Sequence, residues 1–230
     1  MSRRVVILAG GKGTRLKPYT ISLPKPLVPI GDMPILEIII RKLSKSGFDH
    51  ITISLNHMAD IIRAFCGDGS KWGVKIDYSF EDIALSTMGP LKLIKDLPEN
   101  FLVMNGDVLT DLNLIEFYAE HVNKKNNFTI SAYSREQKVD YGVLEIGVNS
   151  KLTNFVEKPT TQYFVSMGVY MVNRKILEYI PENLFFGFDH LMLKLIKNGQ
   201  PPTVRVHSGY WLDIGRPDDY EKACNDIAYI

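Results

Sequence analysis

Cysteine is scarce: the chain has two in 230 residues, Cys66 and Cys224. They show no metal-ligand spacing, and the sequence argues neither for nor against a disulfide. Two buried reduced thiols are the simpler expectation. An excess of one charge is missing too. Lys and Arg number 27 against 26 Asp and Glu, a net of +1, so no global field draws the chain to nucleic acid or to a membrane surface. Any attraction for phosphate must be local. No stretch approaches the ~18 consecutive apolar residues of a membrane span. Arg3 and Arg4 run straight into a short apolar segment and not into a signal-peptide core. The expectation is a cytoplasmic protein with neither nucleic acid nor membrane as partner. The five histidines, His50, His57, His121, His190 and His207, have no metal-ligand spacing and read as surface or satisfied polar groups. No repeat, low-complexity tract or linker interrupts the chain.

What is present is a core large enough for an α/β unit. Apolar runs at 5–9, 50–55, 74–79 and 101–105 read as strands. Helical patterns fall between them at 35–46, 59–66 and 89–95, and another follows at 112–124. Strands joined by helical crossovers call for a mainly parallel sheet with both faces covered. After Asn126 the pattern loosens. Segments 128–134, 141–146, 151–156 and 163–172 read as strands, and 175–180, 188–197 and 217–227 as helices. The fold expected is α/β, a Rossmann-like, mainly parallel mixed sheet flanked by helices, forming one domain over 1–230. Its first half, to about residue 125, would bind one ligand, and its second half would supply the other site.

The stretch "VVILAGGKGTRLKPYT", residues 5–20, sets a buried strand against a glycine-rich turn. It is not a P-loop, because Gly11-Lys12 is followed by Gly13 and Val6 stands where the first glycine belongs. It is not a dinucleotide fingerprint either: Gly11-Lys12-Gly13-Thr14-Arg15 ends in Leu16, with Pro18 close behind. The logic of a phosphate cradle survives both failures. Glycines let backbone N–H groups approach an anion, and Arg and Lys supply charge.

The longer stretch "LAGGKGTRLKPYTISLPKPLVPIGDMPIL", residues 8–36, resembles the signature of the sugar-1-phosphate nucleotidylyltransferases, or NDP-sugar pyrophosphorylases. Its elements are a glycine-rich turn, Thr-Arg-Leu-x-Pro-x-Thr and Pro-Lys-Pro, all in order. "LPENFLVMNGDVLTDL" is similar to the mannose-1-phosphate guanylyltransferase-like branch. The resemblance implies transfer of a nucleoside monophosphate from an NTP to a sugar 1-phosphate, with release of pyrophosphate. By that resemblance Leu8, Gly10, Gly11, Gly13, Thr14, Glu81, Gly89 and Asp107 contact the nucleotide. Arg15 and Lys25 are the catalytic cations, facing the β/γ-phosphates and the α-phosphate. Asp107 and Asp213 hold Mg²⁺, a hard ion suited to oxygen ligands. Gly142, Glu157, Lys158 and Gly168 serve the sugar phosphate. Asp111 and Asp218 read as turn or cap residues, and Trp211 as an aromatic core residue.

Departures mark the base end. In "SFEDIALSTMGPL", Ser86 and Met88 replace a glycine and an alanine of the family pattern, while Thr87 and Gly89 match. Thr87 could also cap the helix expected after it. Guanine presents two adjacent donors that a carboxylate at Glu81 complements, whereas uracil or thymine suits an amide better. GTP is therefore favoured, with mannose 1-phosphate or a related manno-sugar as acceptor. A heptose 1-phosphate, or glucose 1-phosphate with UTP or dTTP, stays open, as does a homo-oligomeric state. The rival from another class is a catalytically silent regulatory subunit that binds sugar nucleotides. Retention of Arg15, Lys25, Asp107, Lys158 and Asp213 speaks against it. The chain stops soon after "LDIGRPDDY", so no C-terminal β-helix or acyltransferase domain is expected.

Overall fold

Apolar residues fill both sides of the first strand. Val5 and Ile7 pack into one hydrophobic cluster and Val6 into another, as the two-residue period of a strand requires. Phe101 and Val103 likewise face opposite to Leu102 and Met104. The computed structural model, which describes residues 3–226, builds the molecule on this double-sided sheet. The first half runs β1 (Arg4–Leu8), β2 (Pro29–Ile30), β3 (Met33–Pro34), α1 (Ile35–Lys45), β4 (His50–Leu55), α2 (Ala59–Cys66), β5 (Lys75–Phe80), β6 (Asn100–Asn105), β7 (Val108–Thr110) and α3 (Leu114–Asn123). The second runs β8 (Phe128–Lys138), β9 (Val143–Ile146), β10 (Leu152–Val156), β11 (Thr160–Asn173), α4 (Phe188–Lys197), β12 (Thr203–His207), β13 (Trp211–Asp213) and α5 (Pro217–Asp226).

Seven strands form the main sheet in the order β12-β8-β11-β6-β1-β4-β5. β1 pairs parallel with β4 and β6, β4 with β5, and β12 with β8. β11 runs antiparallel to both its neighbours. The sheet is thus mixed and mainly parallel, as expected. Helices α1, α2, α3 and α5 cover one face through residues such as Ile39, Ile62, Phe117 and Ala223. Leu191 and Leu195 of α4 cover the other. The chain lays β4 and β5 on one side of β1, then crosses to place β6 on the other side. Such a reversal opens a crevice at the carboxyl ends of the strands, where open α/β sheets bind ligands.

Several expectations need correction. Segments 89–95 and 175–180 are not α-helices but 3₁₀ turns, Gly89–Leu93 and Arg174–Tyr179. Both are too short to offset helix nucleation, and the first starts on Gly-Pro. The helix expected over 112–124 is shorter, because Asn113 accepts a hydrogen bond from Glu116 N–H at 3.1 Å and so caps α3. The helix expected to 227 is α5 through Asp226; residue 227 lies outside the described residues. β2, β3, β7, β12 and β13 were not anticipated; β2 and β3 are two residues long and β7 and β13 three.

β8 and β11 run past the sheet as a paired ribbon, residues 134–138 against 160–164, and the β9–β10 hairpin follows β8 in the chain. Every residue of that hairpin's strands is exposed.

Candidate functional site

The turn after β1 is shaped by what lies beneath it. Gly13 has a positive φ of 61°, and a Cβ there would sit 3.0 Å from both Lys25 Cβ and Thr20 Cγ2. Only glycine meets both demands. Thr20 Oγ1 donates to Gly13 O at 2.8 Å and pins the turn from below. Leu16 is fully buried and anchors the short 3₁₀ turn Thr14–Leu16, leaving Arg15 exposed beside it. Pro24 and Pro26 flank Lys25 in a second 3₁₀ turn whose buried members are Pro26 and Leu27. The Lys25 side chain is thereby aimed inward, and its ammonium pairs with Asp107 Oδ2.

Asp107 reaches the same place from β6. Gly106 N–H donates to Leu8 O at 2.9 Å, which binds the two strand ends together. A Cβ on Gly106 would press to 3.1 Å from that carbonyl. β7 then pairs with β13 so that Val108 faces Asp213, and Ile214 N–H donates to Asp107 O at 3.0 Å. This short pairing carries Asp213 to Asp107 from far along the chain. Burial, and then the adjacent Asp107 carboxylate, raise the Asp213 carboxyl above its ordinary range, against the pull of Lys25 and Arg15. Asp107 Oδ1 is buried with no hydrogen-bond partner among the described residues.

Those two facts test the expected metal. Two adjacent carboxylates, one with a buried oxygen that has no donor among the described residues, leave room for a further cation. No cluster of three or more His, Cys, Asp or Glu suited to a metal exists among the described residues. Mg²⁺ typically takes one or two carboxylates and completes its shell with phosphate oxygens and water. The residues present fit that ion.

A cavity of about 490 Å³ opens at these strand ends. It gathers Leu8, Gly10, Gly11, Gly13, Thr14, Arg15, Lys25, Glu81 and Asp107 of the sequence-predicted set. Glu81 follows β5 and lies against the glycine turn, where a Cβ on Gly10 would approach its Oε1 to 3.0 Å. Its two oxygens accept hydrogen bonds from Ser54 Oγ at 3.2 Å and Leu85 N–H at 3.0 Å. Burial still raises its carboxyl above the usual range, and these bonds only partly oppose that. Each carboxylate oxygen retains a lone pair for a further donor.

Gly89 is not a wall of this cavity. A Cβ there would meet Leu85 Cβ at 2.8 Å and Leu184 O at 3.1 Å, so the glycine admits a neighbouring segment. Thr87 does line the cavity, but its hydroxyl accepts from Phe188 N–H at 2.8 Å and serves α4, not the turn that follows it. Asp213 sits behind the lining, against Asp107. Gly168 also sits close by, with φ 74° and with a built Cβ only 2.6 Å from Asn105 Nδ2. A bulge in β11 between Ser166 and Tyr170 sets that contact.

Gly142, Glu157 and Lys158 are not drawn into the cavity. They lie on and beside the exposed hairpin, where a Cβ on Gly142 would meet Phe155 and, at 3.1 Å, Glu157 Oε2. Among the lining residues that escaped the sequence reading are Asn56, Asn105 and Phe185. Asn56 and Asn105 end or follow β4 and β6 at the crevice edge, a position that could have flagged them. Phe185 carries no local signal.

Comparison with known proteins adds independent findings. Residues 4–229 match the family model described as nucleotidyl transferase. The chain is 33% identical, over 97% of its length, to the UTP–glucose-1-phosphate uridylyltransferase of Synechocystis sp.. It is 34% identical, over 94% of its length, to the mannose-1-phosphate guanylyltransferase catalytic subunit beta of Xenopus tropicalis. It spans 63% and 62% of those two proteins, less than two thirds of either. The solved structure of HddC from Yersinia pseudotuberculosis superposes with a TM-score of 0.76 at 32% identity, covering 98% of this chain and 99% of that one. The same protein has been solved in complex with GMP-PN.

Proposed function

Because the chain belongs to the nucleotidyl transferase family, we propose that its cavity joins an NTP to a sugar 1-phosphate, releasing pyrophosphate and an NDP-sugar. GTP is the favoured nucleotide, and mannose 1-phosphate or a related manno-sugar the favoured acceptor. The observation that carries the reading is the convergence on one crevice of the glycine turn, Lys25 and Asp107, with Asp213, from far along the chain, behind Asp107.

The reaction needs little covalent chemistry from the protein. A phosphate oxygen of the sugar 1-phosphate attacks the α-phosphorus of the NTP, and the bond from that phosphorus to the β-phosphate bridging oxygen breaks. The electron pair leaves with pyrophosphate. The protein must bring two polyanions together and hold them in line. Backbone N–H groups at Gly10, Gly11 and Gly13 border the cavity and suit the triphosphate. Arg15 lies at the rim without an ion-pair partner among the described residues and would neutralise the departing charge. Lys25 would exchange part of its contact with Asp107 for the α-phosphate. Asp107 and Asp213 would hold Mg²⁺, which when bound supplies positive charge to the phosphates. Lys158, exposed on the hairpin side, would meet the sugar phosphate, and Glu157 the sugar hydroxyls.

Glu81 supports guanine, as do the relatives that act with mannose 1-phosphate and the GMP-PN complex of the HddC structure. The relative that acts on UTP and glucose 1-phosphate is equally similar and supports the second reading, a uridylyltransferase. No described helix is long and apolar enough to cross a membrane. Pyrophosphate release measured with four NTPs crossed against mannose, glucose and heptose 1-phosphates tests the proposal. The highest kcat/KM is expected for GTP with a manno-configured acceptor. A higher value for UTP with glucose 1-phosphate would establish the second reading.

A further inference from the structure

Beside the polar wall of Glu81, Asn56 and Thr87, the cavity has an apolar element that no motif explains. Phe185 lines it near Ala84 and Pro90, yet the residue is 64% exposed. A phenyl ring left in water beside a cavity forgoes burial that a ligand could restore.

The position of Phe185 is fixed on several sides. Phe186 N–H donates to Leu85 O at 3.0 Å, while Met88 N–H and Gly89 N–H donate to Phe186 O at 3.0 and 2.9 Å. Gly89 makes room for this contact, since a side chain there would strike Leu184 O. His190 braces the segment: its ring stacks on Phe186 with centroids 5.5 Å apart and meets Phe185 edge-on at 6.2 Å. Gly187 N–H donates to His190 Nδ1 at 3.0 Å and fixes that ring in turn. The segment that carries Phe185 is therefore tied directly to the turn next to Glu81.

We propose that Phe185 stacks on the nucleobase whose edge Glu81 receives, and that it favours purine over pyrimidine nucleotides. This rests on the reading of the cavity as an NTP site. The logic is a division of labour. A carboxylate reads donors in the plane of the base, and an aromatic face offers dispersion and electrostatic attraction above it. A purine presents two fused rings to that face and a pyrimidine one, so the gain is greater for a purine.

Isothermal titration of GTP and UTP, without sugar phosphate, into the wild type, Phe185→Ala and Phe185→Trp tests this. Phe185→Ala is expected to weaken GTP binding about tenfold and UTP binding clearly less. Phe185→Trp should restore GTP affinity, and GTP should quench its new indole fluorescence. The ring is mostly exposed, so the Tm of both variants should match the wild type. Tight GTP binding by the wild type with unchanged affinity in Phe185→Ala would overturn the stacking role alone. Equal losses for GTP and UTP would overturn the purine preference. A wild type that binds no nucleotide would overturn the NTP site and this role together.

Discussion

At the scale of single residues, the site is defined by two adjacent carboxylates, Asp107 and Asp213, set against the cations Lys25 and Arg15. Asp107 pairs one oxygen with Lys25 and leaves the other buried without a donor among the described residues, while Asp213 is held above its ordinary pKa beside it. If both serve a divalent ion, removing either negative charge should be costly. Asp107→Asn and Asp213→Asn should each lower kcat at least about a hundredfold, a loss of ~3 kcal/mol of transition-state stabilisation. Steady-state kinetics at saturating Mg²⁺ measures this, and full activity of both variants in EDTA would remove the metal. The two cations should separate in a different way. Arg15→Ala should depress kcat, because the leaving pyrophosphate gains charge as the bond breaks. Lys158→Ala should raise the KM for sugar 1-phosphate instead. The reverse pattern would mean that the two ends of the site are interchanged. Glu81→Gln keeps the side-chain shape but turns one acceptor into a donor. It should lower kcat/KM for GTP by roughly tenfold, since each mispaired buried group costs about 1–3 kcal/mol, and should narrow the gap to UTP.

At the scale of elements, the sequence reading succeeded where burial alone decides and failed where remote partners decide. β1, β4 and β6 were legible because both their faces are largely buried and their residues mostly apolar or small, and the edge strand β5 because Ile76 and Tyr78 alternate with Lys75, Asp77 and Ser79. The position of Gly13 and Asp107 at the crevice was legible because turn and strand-end chemistry is local, and that of Lys25 through the resemblance carried by Pro24-Lys25-Pro26. β12 was missed because it is an edge strand in which Thr203, Arg205 and His207 dilute the apolar pattern and even the two valines are exposed. β7 and β13 exist through pairing with each other, which nothing in either three-residue segment announces. Gly89 was noticed as a motif glycine, but its reason lies about a hundred residues on, in Leu184. Gly89→Ala should therefore act on the 184–186 segment. Overpacking of this kind typically costs about 1–3 kcal/mol, so a lowered urea midpoint is expected together with weaker nucleotide binding. A normal midpoint would show that the segment gives way freely.

At the scale of the whole molecule, the two halves are joined by polar networks inside the sheet, away from the cavity. His121 of α3 is fully buried between Thr129 Oγ1 at 2.8 Å and Asn100 Oδ1 at 3.2 Å, and Asn100 also receives Asn173 Nδ2 at 3.0 Å. A neutral imidazole satisfies both contacts, accepting from the hydroxyl and donating to the amide oxygen. Burial lowers its pKa from 6.5 to about 4. The unfolded chain thus takes up a proton before the folded one does. The stability this group confers is complete above pH 6.5 and is lost as the pH falls toward 4, amounting to roughly 3 kcal/mol. Urea denaturation across that window should show a steeper decline for the wild type than for His121→Gln. Parallel curves would mean that the imidazole is protonated inside the fold.

Which bond the assembled cavity breaks is read directly by ³¹P NMR of one reaction mixture. The chain is incubated with GTP, mannose 1-phosphate and Mg²⁺. Equal amounts of pyrophosphate and a new diphosphate diester should appear as the GTP and sugar-phosphate signals fall together. Orthophosphate and GDP in their place, or unchanged spectra with every NTP and sugar 1-phosphate tried, would contradict attack at the α-phosphorus.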